Sequence, residues 1–158
     1  MKINTDIKSK TKVTFIMSVF NEEYKLANAI ESILKQNYQL WFLILVNDAS
    51  TDNSQKVINH YQKKDKRITC ITNKTNKGLA YCLNKAIENC STEYIARMDA
   101  DDVASPGRLE AQLIYLEKHP EIDVLGTAAE VVTTDGNKTI VLKPQNHNVI
   151  ASSIEKIN

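Results

Sequence analysis

Between Val13 and Leu116 a short, β-rich apolar run alternates four times with a segment whose apolar residues recur at helical spacing. Few architectures accept that order. In a βαβ unit each strand is buried under the helix that follows, and successive units join into a largely parallel sheet with helices on its faces. The predicted strands are Val13–Val19 (VTFIMSV), Leu40–Val46 (LWFLILV), Arg67–Thr72 and Glu93–Met98 (EYIARM). Leu40–Val46 is continuously apolar, as expected of a strand covered on both faces. Helices are predicted over about 22–35, from a Thr51 or Asp52 cap to about Lys64, after Gly78, and from Pro106 to His119-Pro120. A fifth strand is expected at Ile122–Gly126, then a hairpin over Val131–Leu142 around Asp135-Gly136. The polar lead-in 1–11 is expected to fray, and a last helix to begin near His147. The expected fold class is thus α/β, with a mostly parallel sheet, flanking helices and a hairpin near the C-terminus, in one domain over 12–158.

Composition narrows the function. The four glycines, Gly78, Gly107, Gly126 and Gly136, are too dispersed to build a phosphate-cradling loop, so a Walker loop and a dinucleotide fingerprint are both absent. A nucleotide would need another hold on its phosphates, and a metal ion held by carboxylates supplies one. With 20 Lys+Arg against 19 Asp+Glu, the charge gives no case for nucleic acid or an anionic membrane as partner. Cys70, Cys82 and Cys90 form no C-x-x-C pair, which argues against a zinc site or disulfide framework. The N-terminus lacks an apolar signal core, and no apolar run is long enough for a transmembrane segment. A cytoplasmic location is expected, with any peripheral membrane attachment made through other regions or partners.

Ligands of open parallel sheets bind beyond the carboxyl ends of the strands. Three polar clusters stand there: Ser18-Val19-Phe20-Asn21-Glu22, Asn47-Asp48-Ala49-Ser50 and Asp99-Ala100-Asp101-Asp102. If their strands are neighbours, the clusters share one rim. In the third, three carboxylates in four residues repel one another, and a divalent cation relieves the repulsion. Oxygen donors suit Mg²⁺ or Mn²⁺, which bind through one or two carboxylates plus substrate phosphates. A solvated acidic turn is the plainer alternative, and D-x-D alone is a common pattern. Asp48 can accept from the N–H edge of a base or from a ribose hydroxyl, or it can serve its own turn. Phe20 can offer a ring face to a base or simply pack. Asn21, Glu22 and Glu23 read most simply as a helix start, with Glu22 alone having a claim on the site. Lys77, before Gly78, can reach a phosphate, whereas Lys74 and Lys85 read as solvated. Trp41 reads as core, and no histidine has a partner at useful spacing.

Four segments together resemble the family 2 glycosyltransferases. VTFIMSVFNEE is similar to V-S-V-I-I-P-V-Y-N-E-E, and LILVNDASTDNS to L-I-I-V-D-D-G-S-T-D. NKGLAYCLNKAI is similar to N-x-G-x-x-x-A-x-N-x-G-I, and EYIARMDADDVASPGRL to E-Y-I-x-x-L-D-A-D-D-x-x-x-P-x-R-L. The motifs are in order and cover about residues 12–126. The resemblance implies the Rossmann-like GT-A fold, a nucleotide-sugar donor, commonly a UDP-sugar, and a Mn²⁺ or Mg²⁺ cofactor. It implies a hexosyltransferase-type enzyme of polysaccharide biosynthesis, with a glycan, lipid-linked or other hydroxyl acceptor. It implies that Asp99 and Asp101 hold the metal on the donor diphosphate, with Ala100 between them. It further implies that Asp48 contacts the base, and that Ser18, Val19, Phe20 and Glu22 frame base and ribose. Four residues depart from the pattern: Ser18 for Pro, Phe20 for Tyr, Asn47 for the first Asp and Ala49 for Gly.

In inverting members the general base lies on a later, acceptor-binding segment, so no catalytic base is assigned here. The chain reads as the donor-binding front of something larger. Alone, it is expected to bind donor and at most to hydrolyse it slowly. The competing reading is a non-catalytic nucleotide-sugar-binding or regulatory module. A phosphoacceptor signalling domain would place its acid pair after the first strand, whereas here the cluster follows the fourth.

Overall fold

A computed structural model describes residues 12–142. The polar lead-in and the expected helix from His147 lie outside them. The chain divides into two compact units, the first ending at Ile114 and the second beginning at Tyr115.

The first unit contains β1 (Val13–Val19), α1 (Leu26–Leu34), β2 (Trp41–Asn47), α2 (Ser54–Lys64), β3 (Ile68–Thr72), α3 (Leu79–Glu88) and β4 (Tyr94–Arg97). It also holds the start of α4 (Arg108–Lys118). The strands form one sheet in the order β3-β2-β1-β4, every pair parallel. This is the parallel α/β sheet that the alternating pattern predicts. Because β2, β1 and β4 are neighbours running the same way, their carboxyl ends form one rim.

Burial explains the apolar runs. All seven residues of β2 are buried. On one face of the sheet, Phe15, Met17, Leu43 and Leu45 pack with Leu26, Ile30 and Ile33 of α1, Ile58 of α2 and Leu109 and Leu113 of α4. On the other, Ile16, Ile44 and Val46 pack with Cys82 and Ala86 of α3. A large apolar side chain buried in this way stabilises by about 1.5–3 kcal/mol. Trp41 is wholly buried, as expected. The three thiols are unpaired, and burial raises the pKa of each, which suits packing better than reactivity.

The first helix begins at Leu26, four residues later than predicted. Ahead of it two loops are stitched together. The amides of Asn21, Glu22 and Glu23 donate to Ser50 Oγ (3.1 Å), Ser54 Oγ (2.9 Å) and Asp52 Oδ2 (3.0 Å). In return, Asn21 Oδ1 accepts from the Thr51 amide (2.8 Å) and Glu23 Oε2 from the Asn53 amide (2.8 Å). Residues 23–25 form a turn ahead of the helix, in which the Lys25 amide donates to the Glu22 carbonyl (3.2 Å). The second helix follows Asn53, whose side chain makes no capping bond, while Asp52, one of the two expected caps, accepts through Oδ1 from the Ser54 amide (2.9 Å).

In the second unit the hairpin forms as predicted. β5 (Ala129–Val132) pairs antiparallel with β6 (Lys138–Val141), and Gly136 turns the loop at φ 82°. The expected strand at Ile122–Gly126 is absent. That segment has no ladder partner among the described residues, and Val124 is exposed. An apolar run without a partner strand has nowhere to place its backbone hydrogen bonds.

Candidate functional site

The carboxyl ends of β1, β2 and β4 open onto a cavity of about 330 Å³, within the range of small-molecule sites. Ser18, Phe20 and Glu22 line it from the first cluster, Asp48 from the second, and Asp99, Ala100 and Asp101 from the third. Three clusters separated along the chain thus meet as a parallel rim requires. Two predicted residues do not line it. The Val19 side chain belongs to the core, and only its carbonyl serves the rim, accepting from the Asp48 amide (2.8 Å). Alternation along β1 is the reason, since Ser18 and Val19 must point to opposite faces. Lys77 is exposed outside the lining, and its contribution is its amide.

Asp48 is 1 % exposed and heavily bonded. Its Oδ1 accepts from Asn73 Nδ2 (2.7 Å) and the Lys77 amide (2.9 Å). Its Oδ2 accepts from the same amide (3.0 Å) and that of Gly78 (2.8 Å). Burial opposes its charge, yet hydrogen bonds from Asn73, Lys77 and Gly78 win and hold its carboxyl below its ordinary value. Asp48 therefore clamps the 73–78 loop as well as facing the cavity. The Cys82 thiol is a further side-chain donor to Asp48.

Asn76, Gly78 and Leu79 also line the cavity and were not singled out in the sequence. Only Gly78 carried a signal, as the glycine before a predicted helix. Its φ of 84° and ψ of 165° belong to a region open essentially to glycine alone, and a Cβ there would meet nothing within 4 Å. Conformation, not space, demands glycine. Phe20 and Leu79 are about half exposed and give the cavity apolar wall.

The departures from the family pattern acquire reasons or costs. Asn47 is buried, donates to Gln55 Oε1 (2.7 Å) and accepts from the Ser50 amide (3.0 Å). A carboxylate could not make the donating bond. Ala49 sits at φ 60°, where an L side chain is strained and glycine is not.

The D-x-D segment is built differently. Asp99 accepts from Arg97 Nη2 at 2.8 and 3.0 Å, and Asp101 Oδ2 lies 3.5 Å from Lys25 Nζ. All four side chains are roughly half exposed. Burial, and then the charges of Asp101 and Asp99, push the Asp102 carboxyl up, with Arg108 pulling the other way. No three acid, histidine or cysteine groups converge on one point among the described residues. Two accessible carboxylates fit a divalent cation that completes its shell with phosphate oxygens and water; they would not cage one alone.

A profile of glycosyl transferase family 2 matches residues 14–154. The chain belongs to this family. EpsE of Bacillus subtilis, named as a glycosyltransferase, is 48 % identical over 120 residues, which make up 75 % of this chain and 43 % of EpsE. TarS of S. aureus, solved with UDP, matches 80 % of this chain and 43 % of its own at a TM-score of 0.65 and 20 % identity. A mannosyltransferase of Pyrobaculum calidifontis, solved with GDP-Man and Mn²⁺, matches 66 % of this chain and 32 % of its own at a TM-score of 0.62 and 24 % identity. These two similarities establish the GT-A fold. The family 2 chain spans about half the length of the curated relatives it matches. Among its described residues no helix is long and apolar enough to cross a membrane.

Proposed function

We propose that this family 2 chain forms the donor site of a metal-dependent glycosyltransferase that takes a UDP-sugar and glycosylates an acceptor hydroxyl in polysaccharide assembly. The observation that carries the reading is the shared cavity, which brings Asp48, Asp99 and Asp101 to one rim from strands far apart in sequence. The UDP bound to TarS and the Mn²⁺ bound to the mannosyltransferase support it.

In this reading Asp48 accepts the imide N–H of uracil, which replaces one of the two contacts it shares with the Lys77 amide. Such an acceptor favours uracil, whose N3 carries a hydrogen, over cytosine, whose N3 does not. Phe20 and Leu79 provide apolar surface for the base, and Ser18 and Glu22 provide polar contacts toward the ribose. Asp99 and Asp101 would hold Mn²⁺ or Mg²⁺ against the diphosphate. When bound, the metal supplies Lewis-acid stabilisation of the departing diphosphate. Transfer also needs a base within hydrogen-bond reach of the acceptor hydroxyl, and no residue described here is assigned that task.

Calorimetry with UDP and CDP, each with and without Mn²⁺, tests the reading. UDP should bind more tightly than CDP, and Mn²⁺ should strengthen both. Asp101→Ala should lose the Mn²⁺-dependent gain and keep the metal-free affinity. Equal UDP affinity in parent and Asp101→Ala with Mn²⁺ present would overturn the metal assignment.

A further inference from the structure

Around the Asp99–Asp102 segment each acid has a cation of its own. Arg97, the last residue of β4, holds Asp99 through two contacts of 2.8 and 3.0 Å. Lys25, just ahead of α1, stands 3.5 Å from Asp101. Arg108, the first residue of α4, faces Asp102 and also donates to the Arg97 carbonyl (3.0 Å). Glu22 and Asp48 are the other acids on the cavity, and Asp48 is already committed to backbone amides. A free divalent cation therefore meets two carboxylates that already have partners, beside positive charges that repel it. A cation carrying a diphosphate meets a different balance, because phosphate oxygens give Arg97 and Lys25 replacement anions.

We propose that Arg97 and Lys25 are exchangeable counter-cations of Asp99 and Asp101, which weaken binding of a bare divalent ion and favour its entry together with the donor diphosphate. The inference rests on the metal assignment made above and adds an order of binding to it. Both are positioning residues, since they act through the acids and through charge. Exposure matters here. Half-exposed ion pairs contribute little to stability, so exchanging one partner for another carries a small cost. A buried pair would not release its acid.

The test uses Mn²⁺ alone, followed by electron paramagnetic resonance of the free ion at up to millimolar concentration, and then UDP at saturating Mn²⁺. Removing a unit charge beside a divalent ion in a water-like dielectric changes affinity about three- to tenfold. Arg97→Ala and Lys25→Ala should therefore each bind Mn²⁺ alone about three- to tenfold more tightly than the parent, and bind UDP several-fold more weakly. Arg97→Lys should stay near the parent in both, because the charge is kept. A residue with only a structural role would not tighten metal binding on removal. If Arg97→Ala binds Mn²⁺ no better than the parent while Asp101→Ala loses binding, the counter-cation inference fails and the metal site stands. If Asp101→Ala and the parent bind UDP alike at saturating Mn²⁺, the metal assignment fails and takes this inference with it.

Discussion

Two acidic loops stand on the same rim, one after β2 and one after β4, and they are built in opposite ways. Asp48 is buried and held by two backbone amides and a side-chain amide, all from the 73–78 loop. Asp99 and Asp101 are half exposed and held by the flexible side chains of Arg97 and Lys25. Fixed partners suit a group that must present one acceptor in one direction. Exchangeable partners suit groups that must accept a new ligand. The comparison separates a preorganised contact from a responsive one, although the residue type is the same.

The largest effect should come from breaking the rigid side. Asp48→Ala orphans three donors, two of them main-chain, and should destabilise the fold by about 3 kcal/mol in urea unfolding, on the scale of hydrogen bonds to a charged group. It should also weaken UDP and uridine alike, with or without metal. Loss of metal-dependent binding alone would make Asp48 a metal-shell residue and erase the contrast.

Acid titration should sharpen the same difference. Burial works against the charges of Asp48 and Asp52, and their hydrogen bonds outweigh it, so both folded-state pKa values lie below the ordinary value. Groups depressed in this way stabilise the fold above the unfolded carboxylate pKa, about 3.9, and lose that contribution as pH falls through the folded value. The urea midpoint should therefore be flat near neutrality and fall below about pH 4. The stability gap between parent and Asp48→Ala should narrow over the same window. A gap independent of pH from 7 to 3 would mean that the charge of Asp48 is immaterial to the clamp.

A smaller effect is expected at Ala49. Glycine relieves the left-handed strain but adds chain entropy to the unfolded state, so Ala49→Gly should raise stability by about 0.5–1 kcal/mol. The smallest belongs to the exposed side. Asp101→Ala should change the unfolding free energy by less than about 0.5 kcal/mol, as exposed ion pairs contribute little. A loss comparable to that of Asp48→Ala would mean that the two loops are built alike after all.

Much of this was legible in the residues. Val13–Val19 is strand and Leu79 opens a helix after Gly78, because apolar periodicity reports burial and burial selects the element. The clusters at Ser18–Glu22, Asp48 and Asp99–Asp101 were legible because strand ends are where an apolar run turns polar. The late start of α1 at Leu26 was not, since the segment before it is bonded to a loop about thirty residues away, which local pattern does not reveal. Ile122–Gly126 was read as strand from apolarity, but a strand also needs a partner, which local pattern does not supply. Lys77 was singled out for its ammonium; the bond from its amide to Asp48 was not legible, because every residue but proline carries that group and no sequence pattern marks it.

The order of strands and helices from β1 to α4, the acids at the strand ends and the membership of family 2 follow from the sequence by itself, because each depends on residue type and spacing along the chain. Only the tertiary structure decided that Asp48 is a buried clamp while Asp99 and Asp101 are accessible and paired with Arg97 and Lys25. The reason is physical: an aspartate's role is set by how much water it keeps and by which donors surround it, and at this rim those donors come from segments that only folding brings together.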